Sequence, residues 1–294
     1  MISRLQTGLH LPSLAHPTNK GWEIEKHILR GRSFTRDTFL LPQAMCPTNR
    51  LEFLTDSEHQ LINKIHTWRY FRMSHFSETI QASLEGQDPI RQKHMTLFSE
   101  LEDLVASHLP DPILNRFDDF YSSIQSLLPQ LNHWSALALL THQAYSTQAH
   151  YKLSLKRSHA YSAILKDLFF YHWKEDAKQS KSHRAAIQEE HRELGFPIPH
   201  SAVEGFLEIL RLFENTIEQA AAADTEYFLR IRKPALSDLN LSTLKNMWRQ
   251  NYRHWEIEAA FTSTSFFELI NGQLNRKQMA EVASFASNKK SPID

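Results

Sequence analysis

The residues best able to do chemistry are concentrated between Leu165 and His183. There an apolar helical run (Leu165, Leu168, Phe169, Phe170, Tyr171) carries His172, Trp173, Glu175, Asp176, Gln179 and His183 in its second half. At helical pitch Leu165, Leu168, His172, Asp176, Gln179 and His183 share one stripe, which puts groups able to bind metal on the face that should be buried. Burying such groups without partners costs roughly 2 to 7 kcal/mol each on apolar transfer scales. The helix therefore needs either a polar network or a metal ion. His-x-x-Glu occurs as His75/Glu78 and as His172/Glu175, and a three-residue step puts both members on one helix face. Each pair is either two ligands on one helix or a helix-surface ion pair worth a few tenths of a kcal/mol. Two histidines and one carboxylate in a facial arrangement would suit Fe(II) and leave positions open for oxygen. Glu175, His183 and Asp224 lie near the inner stripes as further ligands for a mononuclear site, and hydrogen-bonded core groups are the alternative for all of them.

The elements that must position these side chains read as helices. Thr55-Asp56-Ser57-Glu58 caps a helix from about residue 57 to 84, with Leu61, Ile65, Trp68, Phe71 and Phe76 at three- and four-residue steps. Asp88-Pro89 opens a second, through His94, Leu97, Phe98, Leu101 and Leu104, and a shorter third spans about 113 to 128. A fourth runs from about 130 to 156, and the helix with His172 continues to Gly195, where Gly-Phe-Pro-Ile-Pro ends it. From His200 another carries Val203, Phe206, Leu210, Phe213, Ile217, Ala220 and Asp224 down one face. Two shorter helices follow, about 237 to 250 and 253 to 272, and an amphipathic turn comes after Asn275. Residues 1–50 hold Pro12, Pro17, Pro42 and Pro47 and read as an irregular arm. Residues 51–286 form one helical-bundle domain, and residues 287–294 a polar tail.

Composition agrees. Three valines and seven glycines in 294 residues supply neither the β-branched residues of pleated sheets nor the glycines of hairpin turns, so the fold is all-α. Thirty-three basic residues balance thirty-three acidic ones, which removes the global field that attracts nucleic acid or anionic membrane. Seventeen histidines, titrating near ~6.5 when free, point to acid sensitivity. Cys46 is the sole cysteine, so neither an intrachain disulfide nor a cysteine-rich zinc site can form. With no signal-like start and no run of eighteen apolar residues, a soluble cytoplasmic protein is expected. Trp134, Trp173, Trp248 and Trp255 are expected as core anchors. No Gly-rich phosphate loop, Gly-x-Ser-x-Gly elbow or His-Glu-x-x-His motif is present.

Phe53-Leu54 through Asn63, Ile65, Tyr70 and Ser77-Glu78-Thr79-Ile80 resembles the first helix of a bacterial di-iron ferritin-like group allied to the p-aminobenzoate N-oxygenases. Lys93-His94 with Leu97-Phe98 resembles that group's second helix, Thr147-Gln148-Ala149-His150-Tyr151 its third, His172-Trp173 its fourth, and Tyr252-Arg253 with Phe267 its closing helix. The resemblance spans roughly residues 50 to 280. It implies a ferritin-like bundle with extra C-terminal helices, and a centre in which carboxylates and histidines project inward from four helices to hold metal.

The chain departs from that pattern. Arg91 stands where the resemblance places a glutamate one turn before His94, Ala144 stands for the third-helix glutamate, and His172, Asp176, Gln179 replace an expected His, Glu, His. Of the implied ligands Glu78, His94, His172 and Asp176 survive, and a cation at Arg91 opposes a second metal ion. The resemblance thus implies an eroded or rebuilt centre for iron or manganese, acting with O2 on a small organic substrate, with Arg91 and Tyr145 as substrate-binding residues and Tyr70 as a redox or orienting group. A bidentate contact from Arg91 would receive a substrate carboxylate. The contrasting reading is a metal-free scaffold that binds a protein partner, a second copy of itself or a small ligand.

Overall fold

Thr55 opens the first long helix. Its hydroxyl accepts from the Glu58 amide while the Glu58 carboxylate accepts from the Thr55 amide, a capping box that starts α1 (Asp56–Glu85). Gly86, at φ +88°, ends it. Asp88 then accepts from the Ile90 amide, and Pro89 occupies the first turn of α2 (Pro89–Ala106). So short a connection folds α1 and α2 back on each other as an antiparallel pair. The computed structural model describes residues 22–32, 34, 39–86, 88–112, 118–156, 158, 161–232 and 235–287, with only the backbone described for 118–121. Most of the expected polar tail, much of the expected arm, and the start of the expected third helix therefore lie outside the described residues.

α3 spans Asp118–Leu127, α4 His133–Ala149, α5 Ala163–Leu194 and α6 His200–Ile231. α7 (Asp238–Arg253), α8 (Ala259–Phe261), α9 (Thr264–Asn271) and α10 (Arg276–Ala286) complete an all-helical chain without a strand among the described residues. α1 packs on α2, α4 on α5 and α6 on α7. α5 ends where Gly195 takes φ +79°, as the sequence predicts.

Two helices carry an inserted π-turn. α4 runs into one at His150–Leu155, and α7 into another at His254–Glu258. Such a turn displaces carbonyls from the regular ladder. His142 of α4 takes up one of them, its Nε2 lying 2.9 Å from the Ile257 carbonyl oxygen. The single helix expected over 253 to 272 is broken for a related reason. The Thr262 hydroxyl bonds back to the Ala259 carbonyl at 2.6 Å, and the Thr262 and Ser263 amides form three-residue bonds to Ala259 and Ala260, which closes the helix early.

Asn63, buried in α1, anchors the segment that precedes it. Its Oδ1 accepts from the Leu40 and Leu41 amides at 2.7 and 3.1 Å, and its Nδ2 donates to the Leu41 carbonyl at 2.9 Å. Leu40, Leu41, Met45 and Cys46 are thereby held against the core, and burial pushes the Cys46 thiol well up, which leaves it inert. Trp134, Trp248 and Trp255 are core residues, and Trp134 Nε1 donates to Gln273 Oε1 at 2.7 Å. Trp173 is not a core anchor. It is half-buried and stacks on Tyr151, ring centres 4.6 Å apart. Among the described residues no helix is long and apolar enough to cross a membrane.

Candidate metal centre

Three helices bring the ionisable stripe together. On α5, His172, Asp176, Gln179 and His183 recur at steps of four, three and four residues and are all buried. Glu78 and Glu85, two turns apart, face them from α1, while Arg91 and His94, one turn apart, do so from α2. Glu78 stands at the middle. Its Oε1 lies 2.9 Å from His172 Nε2 and 3.2 Å from His94 Nδ1, and its Oε2 accepts from Arg91 Nη1 at 3.0 Å. His172 Nε2 is also 3.5 Å from Asp176 Oδ2.

Arg91 is fully buried and points inward. Besides Glu78, its Nε donates to Glu85 Oε2 at 3.1 Å, and its Nη1 lies 3.8 Å from Asp176 Oδ1. The carboxylates that this guanidinium holds are the protein's own; its Nη2 makes no hydrogen bond. Glu85 also takes His183 Nε2 at 2.5 Å. On the far side His94 Nε2 lies 2.7 Å from Glu175 Oε2, and Lys93 Nζ donates to Glu175 Oε1 at 2.9 Å. Trp22 closes this flank, stacking on His94 with ring centres 5.9 Å apart and lying under the Lys93 ammonium at 3.9 Å.

Electrostatics follow the geometry. Burial raises the Glu78 carboxyl, but Arg91 and His94 outweigh it and hold the group well below the usual carboxylate range. Glu85 is likewise raised by burial, then lowered by His183 and Arg91 to about 2. Glu175, under His94 and Lys93, also falls to about 2 against its burial. Burial opposes charge on His94, yet Glu78 and Glu175 lift it to about 9. The His75/Glu78 and His172/Glu175 pairs expected within helices give way to bonds across helices, because Glu78 and Glu175 turn toward α2.

The four sequence-predicted ligands, Glu78, His94, His172 and Asp176, are all buried, and one ligand atom from each lies within 4.8 Å of the others. Around a metal with bonds of about 2.2 Å, opposite ligands stand about 4.4 Å apart, so the span of the group is of the size that surrounds one ion. Formal charge points the same way. Glu78, Glu85, Glu175 and Asp176 set four negative charges against two permanent positive ones, Arg91 and Lys93; a proton on His94 fills half of that deficit without an ion, and a divalent cation that displaced the proton would fill all of it. Asp176 Oδ1, His172 Nδ1 and both amide atoms of Gln179 have no hydrogen-bond partner. The residues present thus fit a single ion.

Other expected groups lie elsewhere. Asp224 belongs to a separate buried knot, accepting from Arg69 Nη2 and Nε at 2.6 and 2.9 Å and from the Tyr252 hydroxyl at 2.6 Å. Glu175 and His183 surround the four ligands as hydrogen-bond partners of His94 and Glu85. Tyr145 is buried against Phe266, ring centres 5.7 Å apart. Tyr70 lines a polar cleft beside the centre, with Ser74, Ser77, Glu78, Gln81, Gln143, Ser146, Thr147, His150, His172, Trp255 and Glu256. Sequence reasoning missed Glu85 as a partner of Arg91, although it stands seven residues after Glu78 on the same stripe. It had no signal for Glu256, which reaches the cleft from a π-turn far along the chain. No family model, curated protein or solved structure matches the chain.

Proposed function

We propose that the chain is a ferritin-like helical-bundle oxidase or oxygenase that holds one non-haem ion, iron or manganese, and acts on a small organic substrate with O2. The observation that carries this reading is the convergence of Glu78, His94, His172 and Asp176 from three helices in a buried volume. Histidine and carboxylate together suit those ions, and a bound ion there would supply redox chemistry with oxygen. The residues themselves do the rest. Glu85 and Glu175 orient Arg91 and His94, Trp22 excludes water from one side, and the cleft on the other gives a small molecule access to His172 and Glu78. Arg91 occupies ground between Glu78, Glu85 and Asp176 where a second ion would need to sit, so the rebuilt centre is mononuclear.

A second reading, a metal-free scaffold for a protein or small-ligand partner, has one observation in its favour. Glu78 already has three protein partners, and a network of that kind can stand without an ion. Metal analysis separates the two. Protein purified without chelator should carry close to one iron or manganese per chain, and His172→Ala should lose it. Absence of metal in both, with no rise in melting temperature on adding Fe(II) or Mn(II), would sink the oxidase reading.

A further inference from the structure

The cleft beside the centre has a chemistry of its own. It lies between α1, α4, α5 and the π-turn His254–Glu258, and its volume is about 30 Å³, room for one or two water-sized groups. Gln143 donates through Nε2 to Ser77 Oγ at 2.8 Å, which leaves its buried Oε1 without a partner. His150 is buried and donates to the Trp255 backbone, so its unpartnered Nε2 presents a lone pair. Ser146 Oγ, buried on the next turn of α4, is also unpartnered. Glu256 has neither a hydrogen bond nor an ion pair among the described residues. It keeps part of its surface in the cleft, yet burial pushes its carboxyl up to about 7, as expected of a carboxylate that lacks a counter-charge.

Three of these four groups are acceptors, and one can bear a negative charge. Water brings as many acceptors as donors and leaves Glu256 uncompensated; an anion would find no free cation here. An ammonium brings three N–H donors and a positive charge in a volume close to that of water. Tyr70 and Trp255, edge-to-face with centres 5.2 Å apart, add aromatic surface of the kind that cations favour. The π-turns that interrupt α4 and α7 both border the cleft, through His150 and through Trp255 and Glu256, and such turns gather at functional sites.

We infer that this cleft is a binding site for the ammonium group of a small aliphatic amine, held by Glu256, Gln143, His150 and Ser146. The inference goes beyond the proposed oxidase and needs no ion in the metal centre. The full chain, treated with chelator, is titrated calorimetrically with methylammonium chloride and, at equal ionic strength, with tetramethylammonium chloride. Saturable binding of methylammonium alone is expected, because the quaternary ion has no N–H to donate. Glu256→Gln should weaken that binding about tenfold or more, the loss of one charge-assisted hydrogen bond. Removal of an unpaired buried carboxylate should leave the fold intact; should the variant not fold, Ser146→Ala carries the test. Equal responses to the two ions, or methylammonium binding untouched in the variant, would overturn the inference. Methylammonium binding by a chain that takes up no metal removes the oxidase reading alone, and metal uptake without methylammonium binding removes this inference alone.

Discussion

Replacing Arg91 by methionine removes the permanent cation that contacts Glu78, Glu85 and Asp176 while keeping most of the side chain's volume. At an effective dielectric of ~20, contacts of 3.0, 3.1 and 3.8 Å to Glu78, Glu85 and Asp176 amount to about 4 to 6 kcal/mol of attraction each. Most of that gross figure only repays the desolvation of the charges. What the substitution exposes is the cost of leaving carboxylates buried and uncompensated, about 3 to 5 kcal/mol for a broken buried pair. In a chain of this size each kcal/mol moves the midpoint by roughly 2 to 4 °C, so thermal unfolding should fall by about 6 to 20 °C. Arg91→Lys should fall by less but still measurably, since an ammonium cannot reproduce a fork that meets Glu78 and Glu85 from different nitrogens. The loss should also be repaired from outside: Mn(II) at millimolar concentration should raise the midpoint of Arg91→Met more than that of the parent, because the emptied position is ringed by anionic oxygens. Unfolding followed by circular dichroism with and without Mn(II) is the assay. A methionine variant that melts within about 1 °C of the parent would refute the argument, because the carboxylates would then have other compensation.

Acid should destabilise the fold before most of its carboxylates titrate. Buried His142 and His150 are pushed down to about 4 and about 3, chiefly by burial, and His66, stacked on Trp248, is held well below 6.5 by burial and Arg69. Unfolded imidazoles take up protons near ~6.5 while these refuse them, so the unfolded state binds more protons and stability falls as pH drops from about 6.5 toward 4. Each histidine contributes about 1.4 kcal/mol per pH unit, and Glu256, pushed up to about 7, opposes with one such share. A net slope of about two groups remains below pH 6.5, and urea midpoints that match at pH 6.5 and pH 5.0 would contradict it. Asp224→Asn should cost about 3 to 5 kcal/mol by leaving buried Arg69 without its carboxylate. It should nonetheless leave metal content unchanged, and a loss of metal in that variant would tie Asp224 to the centre after all.

Helices and their ends were legible in the sequence because their causes are local. The capping box at Thr55 and Glu58, the proline start at Pro89 and the glycine stop at Gly195 each act within one turn. The stripe from His172 to His183 was legible too, since periodicity alone says which face is buried. Its partners were not. That Glu175 turns to α2 rather than to His172, and that Asp224 meets Arg69 rather than Glu78 and His172, depends on how separate helices are rotated against each other, which no single helix records. Least legible was the cleft. An inserted π-turn shifts every following residue by about 100° around the axis, so Glu256 points where a regular helical count would not send it.

Arg91 decides what kind of centre this chain can own. In the di-iron pattern that the sequence resembles, the charge of two ions is balanced by carboxylates on both sides. Here a guanidinium stands among the carboxylates, tied to Glu78, Glu85 and Asp176. That guanidinium compensates the interior carboxylates without an ion, and together with His94 it keeps Glu78 ionised. The same tether has a cost in nuclearity, because two metal ions cannot share these carboxylates with a fixed cation a few ångströms away. Should an ion bind among Glu78, His94, His172 and Asp176, the fixed cation on α2 leaves room for one such ion and not for two.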